Sequence, residues 1–418
     1  MSSDNSLLPL ARAAREASRV LAVTPTEQKN RALLEIADHL ERSAPALHQA
    51  NDLDLQTARA MGLSPALIDR LTLDSKRLAD LARAVREVAQ LPDPVGEVME
   101  EWQRPNGLRL LKRRTPLGTV GMIYESRPNV TTEAASLCLK SGNACLLRGG
   151  KEAFHTNTAL AVRIQEALVL TGLPQACVQL VPTTDRKAVE EMCHLQGYLD
   201  LIIPRGGPDL IHAVASMARM PVLRHGAGIC HAYVDHETDS AMAEEIVFNS
   251  KVSRPSACNS LETLLVHESV AKEVLGRLVP RLEAAGVELR GDDTCRRLYP
   301  RMKAATEQDW FAEYLDLTLS VRVVKSLDEA IDHIEHYGSH HSDVIVTTNA
   351  STAETFLAAV QSAVVYWNAS TRFTDGGEFG FGAEIGISTE KIHARGPMGL
   401  NELTTYKYEV RGQGQVRI

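Results

Sequence analysis

An α/β protein built on parallel sheets is the fold class this sequence predicts. Short apolar runs alternate with helix-length amphipathic ones from about Val120 to Val365, the pattern of strand-helix-strand units. With 418 residues, 44% hydrophobic and 23% charged, the composition is that of a globular chain too long for one ordinary core. Two or three domains are expected.

Helices precede that alternation. Leu7, Leu10, Ala11, Ala14 and Leu21 keep helical spacing, and Thr24-Pro25-Thr26-Glu27 reads as a capping box with Pro at the first helical position. Leu33, Leu34, Ala37 and Leu40 line that second helix, Ser64-Pro65 opens a shorter one, and Asp74 caps the run Leu78, Leu81, Ala82, Val85, Val88. Residues 1–22 carry Arg12, Arg15, Glu16 and Arg19 without the apolar block of a secretory signal. No catalytic residue types cluster here, which leaves a helical layer packed on the next domain. Residues 98–102 and 108–112 then flank Pro105-Asn106-Gly107, a turn suited to a hairpin. A two-stranded ribbon is marginal alone and needs a partner.

Strands are expected at 120–124, 144–147, 178–181 and 199–203, each followed by a helix. No G-x-G-x-x-G occurs. Gly206-Gly207 lies between a strand and a helix that opens at Pro208, where backbone N–H groups can hold an anion, although glycines at such turns also serve geometry alone. A second α/β unit runs from Ala232 to about Val365, and its stretch 281–320 is the least legible part of the chain.

One stretch of that unit concentrates chemistry. A helix-like run over 241–248 ends in polar residues, and Cys258 lies in the loop before the short apolar run 261–266, which reads as a strand. Lys251 and Arg254 on its approach, with neighbouring backbone N–H groups, favour thiolate, the form that attacks carbonyl carbon. A small buried thiol is the competing reading.

The segment Phe248-Asn-Ser-Lys-Val-Ser-Arg-Pro-Ser-Ala-Cys-Asn-Ser-Leu-Glu-Thr263 resembles the active-site segment of the γ-glutamyl phosphate reductase family. These enzymes are also called glutamate-5-semialdehyde dehydrogenases and form a branch of the aldehyde dehydrogenase superfamily. The resemblance continues in Tyr124-Glu-Ser-Arg-Pro-Asn-Val-Thr131, Ser339-His-His-Ser-Asp343 and Asn368-Ala-Ser-Thr-Arg-Phe-Thr-Asp-Gly-Gly-Glu-Phe-Gly380. It extends to Glu384-Ile-Gly-Ile-Ser-Thr389 and His393-Ala-Arg-Gly-Pro-Met-Gly-Leu400, in the family's order.

The resemblance implies an aldehyde dehydrogenase-like α/β fold with three parts. Residues 1–231 with 367–400 would be the N-terminal helices and the Rossmann-type cofactor domain. Residues 232–366 would be the catalytic domain, and 96–116 with 401–418 an oligomerisation ribbon that makes the protein a homo-oligomer. Arg148-Gly-Gly-Lys151 stands where the superfamily at large has Lys-Pro-Ser-Glu on the adenosine ribose. Lys151 reverses the sign of that contact and Arg148 suits phosphate, so NADPH is expected over NADH; a solvated basic turn is the alternative. Gly206 and Gly207 would lie at the cofactor, and Glu313 aligns with the superfamily's Glu on the nicotinamide ribose, against the bland alternative of an exposed helical Glu.

The implied chemistry is NADPH-dependent reduction of γ-glutamyl phosphate to glutamate 5-semialdehyde through a thioester on Cys258, a step of proline biosynthesis. Ser126 would donate to the acyl oxygen. Arg127, Arg254 and Arg372 suit the substrate's anionic groups, Glu125 its ammonium, and Asn368 either end. Hydrolytic aldehyde dehydrogenases carry a general-base Glu in Glu-Leu-Gly-Gly; this chain has Leu223-Arg224-His225-Gly226 there. An acyl-phosphate reductase needs no such base. Two other readings stand: a hydrolytic aldehyde dehydrogenase on another small aldehyde, and a catalytically silent scaffold.

Charge and cysteine usage exclude several classes. Lys and Arg number 45 against 53 Asp and Glu, a net −8 that opposes a general nucleic-acid footprint. No apolar run approaches the ~20 residues of a membrane span. Seven cysteines without C-x-x-C indicate a reducing compartment, the cytoplasm, and no zinc site. His340-His341 with Asp343 offers no third ligand at helical spacing and receives no role. Association with a glutamate 5-kinase, the supplier of an unstable acyl phosphate, is a possible partnership the residues do not address.

Overall fold

The structure, a computed structural model, describes residues 6–125, 127–224 and 226–417. Five helices come first: α1 Leu8–Leu21, α2 Thr26–Arg42, α3 Ala44–Ala60, α4 Pro65–Leu71 and α5 Ser75–Gln90. Ser64 caps α4, its hydroxyl accepting from the Leu67 N–H at 3.4 Å, and Asp74 caps α5, accepting from the Arg77 N–H at 2.8 Å. The capping box expected at Thr24 does not form. Pro25 occupies the N-cap position of α2, and the Thr24 hydroxyl turns back to the Val20 carbonyl at 2.9 Å.

The chain continues through β1 Val98–Gln103, β2 Arg109–Pro116, β3 Thr119–Tyr124, α6 Asn129–Lys140, β4 Ala144–Arg148, α7 Phe154–Leu170, β5 Val178–Leu180, α8 Lys187–Cys193, β6 Leu201–Arg205 and α9 Pro208–Met217. Strands β5-β4-β3-β6 form a parallel sheet in that order. Every residue of β3 and β4 is buried, which explains their unbroken apolar runs. Strand order reverses between β3 and β6. In open parallel sheets a ligand crevice lies beyond the carboxyl ends of the strands at such a reversal, and here those ends are Tyr124 and Arg205.

After residue 225 come β7 Cys230–Val234, α10 Ser240–Val252, β8 Leu261–His267, α11 Ala271–Ala284, β9 Glu288–Gly291, α12 Asp293–Leu298, β10 Lys303–Ala304 and α13 Glu307–Trp310. They are followed by β11 Thr318–Val324, α14 Leu327–Tyr337, β12 Ser342–Val346, α15 Ala350–Ala359 and β13 Val364–Trp367. Seven parallel strands run in the order β10-β9-β11-β8-β7-β12-β13. Leu261, Leu264 and Val266 of β8 pack with Val274, Leu275 and Leu278 of α11 in a core with no solvent access. The short strands β14 Gly386–Ser388 and β15 Gly396–Met398 pair with each other, and β16 Thr404–Arg411 ends the ordered elements.

β16 pairs antiparallel with β2 over its whole length, so β1-β2-β16 is a three-stranded sheet. Gly107, at φ 85°, makes the left-handed turn between β1 and β2 that a side chain would strain.

Contacts divide the chain into two compact units, Met1–Arg224 with Gly380–Gly386 and Met398–Ile418, and His225–Phe379 with Ile387–Pro397. This differs from the boundary expected at 367. Residues 368–379 stay with the second unit because Asn259 donates to the Thr374 carbonyl at 2.8 Å and Ser342 bonds the Thr374 hydroxyl at 2.7 Å.

Within the first unit, Asp54 of α3 caps α7 from outside. Its carboxylate, 2% exposed, accepts from the His155 N–H at 3.1 Å, the Thr156 N–H at 2.8 Å and the Thr156 hydroxyl at 2.6 Å. Asp54→Ala leaves those donors unmet and should cost about 1–3 kcal/mol, read as a lower urea midpoint. An unchanged midpoint would show that the cap carries no weight.

Candidate active site

In the second unit, α10 ends with Lys251 and Val252, a turn follows, and β8 begins at Leu261. Cys258 sits in that turn, half-buried, while the other six cysteines are fully buried. Gly228 approaches it so closely that a Cβ there would collide with the Cys258 backbone. The Cys230 thiol points at the Cys258 carbonyl, sulfur to oxygen 3.4 Å, and burial holds that thiol well above its ordinary pKa. Cys230 is therefore a packing neighbour in its protonated form, and Cys258 the accessible sulfur.

Two arginines join Cys258. Arg372 follows the turn at Ser370, and its Nε donates to the Ser253 hydroxyl at 3.2 Å. Burial lowers the Arg372 pKa, the like charge of Arg254 lowers it further, and negative charge at Cys258 opposes both. Arg254 is solvent-exposed. Cys258, Arg254 and Arg372 thus share one locale, suited to a thiolate and to an incoming anion.

Lys251 does not belong to that locale as expected. Its ammonium is buried against Glu262 at 2.7 Å, both side chains 0% exposed, so its charge is neutralised inside the unit. Desolvation pushes Glu262 up to about 7 against the pull of Lys251. The other Glu262 oxygen accepts the Leu315 N–H at 3.3 Å, and Leu315 has the left-handed φ of 54°. That contact steadies the loop carrying Glu313, which lies outside any helix. Burial raises the Glu313 pKa, and the Gly228 N–H donating to it opposes the rise. Glu313 is therefore brought to the strand of backbone that touches Cys258.

Asn368 departs from its expected part. Its side chain donates to the Thr347 carbonyl at 2.9 Å and accepts the Thr347 N–H at 3.0 Å, so both amide ends secure the backbone. His341 is buried, with Nδ1 2.9 Å from the Ser342 hydroxyl and 3.8 Å from the Cys230 sulfur. Asp343 holds His231 at 3.0 Å and accepts from Ser362, while His340 turns to Glu335 at 4.0 Å. Among the described residues no group of three His, Cys, Asp or Glu side chains could hold a metal ion.

In the first unit, the carboxyl ends of β3 and β6 bring Glu125 and Gly206-Gly207 together. The Gly207 N–H, expected to meet an external anion, donates to the Glu125 carboxylate at 3.0 Å. The positive end of α9 thereby holds the chain's own acid, and Glu125 answers a helix rather than an ammonium. Arg148, at the end of β4, is 9% exposed and donates to the carbonyls of Thr184 at 3.0 Å and Asp185 at 3.4 Å. It clamps backbone where phosphate contact was expected. Lys151 is exposed just beyond it, and Arg127 is exposed ahead of α6. Ser126 lies outside the described residues.

Sequence patterning missed Gly228, Cys230, Asn259 and the Lys251–Glu262 pair. Only the pair left a trace, as opposite charges at the two ends of the turn between α10 and β8.

Residues 5–296 match the aldehyde dehydrogenase family. The chain is 55% identical over 411 residues to γ-glutamyl phosphate reductase of Carboxydothermus hydrogenoformans, covering 98% of this chain and 99% of that one. It is 54% identical over 406 residues to γ-glutamyl phosphate reductase of Parvibaculum lavamentivorans, covering 97% and 96%. The crystal structure of γ-glutamyl phosphate reductase from Thermotoga maritima superposes with a TM-score of 0.97 at 49% identity, over 99% of this chain and 100% of that one.

The buried pair yields a pH-dependent outcome. Lys251→Met strands Glu262 without its cation, raising its pKa in the fold further above its unfolded value. A group so raised favours folding in its protonated state, and that contribution is lost as pH rises from the unfolded pKa to the folded one. Urea midpoints of the variant should therefore fall steeply between about pH 5 and about pH 8, by the equivalent of roughly 3 kcal/mol. A pH-independent difference from the parent would refute the assignment.

Proposed function

The chain belongs to the aldehyde dehydrogenase family, in its γ-glutamyl phosphate reductase branch, and from that membership we propose its reaction: NADPH-dependent reduction of L-glutamate 5-phosphate to L-glutamate 5-semialdehyde and phosphate, the second step of proline biosynthesis from glutamate. What supports this most directly is the setting of Cys258, the accessible thiol of seven, in one locale with two guanidinium groups. The Cys258 thiolate attacks the γ-acyl carbon, the bond from that carbon to the phosphate oxygen breaks, and phosphate leaves, so that the acyl group is held as a thioester. Arg254 and Arg372 accompany the departing dianion and the substrate's carboxylate. The Cys258 N–H meets the negative charge on the acyl oxygen. Bound NADPH supplies the hydride that reduces the thioester. The sulfur then leaves the reduced carbon and the aldehyde departs.

The residues present fit a dinucleotide. Strand order reverses between β3 and β6, the arrangement at which open parallel sheets bind ligands; Gly206 and Gly207 open α9 there, and Lys151 stands exposed beyond β4. There Lys151 would favour a 2′-phosphate, while Arg148 would act by holding the loop at 184–185. Glu262 is sealed against Lys251, and Glu313 accepts a backbone N–H. Neither is arranged to activate a water, which disfavours the hydrolytic alternative.

A homo-oligomer also follows. β16 lies at an open sheet edge and exposes Tyr406, Tyr408 and Val410, a surface a second copy would cover. No described helix is long and apolar enough to cross a membrane, and seven thiols suit the cytoplasm. Association with the kinase that makes the acyl phosphate would shield an unstable substrate.

The decisive experiment runs the reaction backwards, with pyrroline-5-carboxylate, the cyclised product, and NADP⁺. Reduced nucleotide should accumulate only when phosphate is present, and Cys258→Ser should lower kcat by at least about 10³-fold with the fold retained. Equal rates with and without phosphate would contradict acyl-phosphate chemistry, and turnover by Cys258→Ser would remove the nucleophile from the scheme.

A further inference from the structure

Asn259 follows the nucleophile directly and is 5% exposed. Its side-chain amide donates to the Thr374 carbonyl at 2.8 Å and to the Arg372 carbonyl at 3.3 Å. Its own carbonyl accepts the Thr371 hydroxyl at 2.7 Å. Three bonds thus join one residue of the nucleophile's turn to the segment around Arg372, two of them to its backbone carbonyls and one to the Thr371 hydroxyl. That backbone is held elsewhere as well: the Thr371 N–H donates to Ser250 Oγ at 3.3 Å, and Thr374 Oγ1 meets Ser342 and Tyr366 hydroxyls at 2.7 and 2.8 Å. The main chain of Arg372 is thus tied to the turn of Cys258 through Asn259, and its guanidinium to the start of that turn through the Ser253 hydroxyl at 3.2 Å.

We propose that Asn259 is a positioning residue for the nucleophile: by fixing the Arg372 backbone against the turn, it sets the reach of the guanidinium to the Cys258 sulfur and so the fraction of thiolate. Several observations point this way. Lys251, the other cation on the approach, is neutralised by Glu262 and gives little field at the thiol. Arg254 sits on an exposed stretch without such mounting, where a charge is screened by solvent. Arg372 is partly desolvated, which strengthens its interaction with a nearby anion. The Asn259 amide can make both contacts at once because it has two N–H bonds, which aspartate, serine or alanine lack.

The inference rests on Cys258 being the nucleophile, and one experiment separates the two claims. The rate of iodoacetamide alkylation at Cys258, followed by mass spectrometry across pH, reports the thiolate fraction. In the parent enzyme, loss of activity should track modification of Cys258; inactivation without it would sink the nucleophile assignment itself. Arg372→Gln should raise the apparent thiol pKa by about one unit, a roughly 10-fold slower reaction at neutral pH. Asn259→Ala should move the profile the same way, and the double variant should move it no further than Arg372→Gln alone, since both act through one guanidinium. Thr371→Val, isosteric and missing one of the three bonds, should give a smaller shift in the same direction, and decides the matter if Asn259→Ala does not fold. A profile unmoved in Asn259→Ala or in Thr371→Val, or shifts that add in the double variant, would overturn the proposal.

Discussion

A lysine and a glutamate buried without solvent contact close the loop that carries the nucleophile. Lys251 lies in the last turn of α10 and Glu262 is the second residue of β8, and their 2.7 Å contact fixes both ends of the turn between them. Burying a charged pair costs desolvation that a well-packed apolar pair would avoid, so such a pair is poor evidence of stability for its own sake. Here its value is geometric. One Glu262 oxygen takes the ammonium and the other takes the N–H of Leu315, so a single carboxylate registers the nucleophile's turn against the loop of Glu313. Gly228, with no side chain, lets a third stretch of backbone lie against the same sulfur-bearing residue.

How much of this was legible in the sequence depended on the length and locality of each feature. The alternation from β3 to α9 announced itself because fully buried parallel strands are unbroken apolar runs. Cys258 was recognisable from its place between a helix and a strand, and the caps at Ser64 and Asp74 from contacts three residues long. Residues 281–320 resisted because their elements are too short to show a period: β9 has four residues, β10 two and α12 six. Side-chain partnerships across the fold were invisible for another reason. Glu125 reaches Gly207 over 82 positions and Asn259 reaches Thr374 over 115, and no local pattern encodes either. Arg148 and Asn368 illustrate the cost: residue types suited to ligands turned out to hold backbone.

In the first unit the same economy of contacts appears at the sheet's strand reversal. A helix N-terminus there is met by Glu125, so the dipole of α9 is satisfied by an acid of the chain itself. An external anion approaching that helix end would first have to displace this carboxylate.

The sheet β1-β2-β16 carries a consequence for how the chain is made. Arg114 of β2 bonds Thr404 of β16, 290 positions further on, and β16 lines the whole of β2. During synthesis on the ribosome the hairpin emerges early and must wait, with one row of backbone donors and acceptors open, until almost three hundred more residues have been added. Contacts so distant along the chain form late. The nascent polypeptide thus exposes a sticky strand for most of its translation, and its protection in that interval falls to whatever chaperone or neighbouring chain reaches it first.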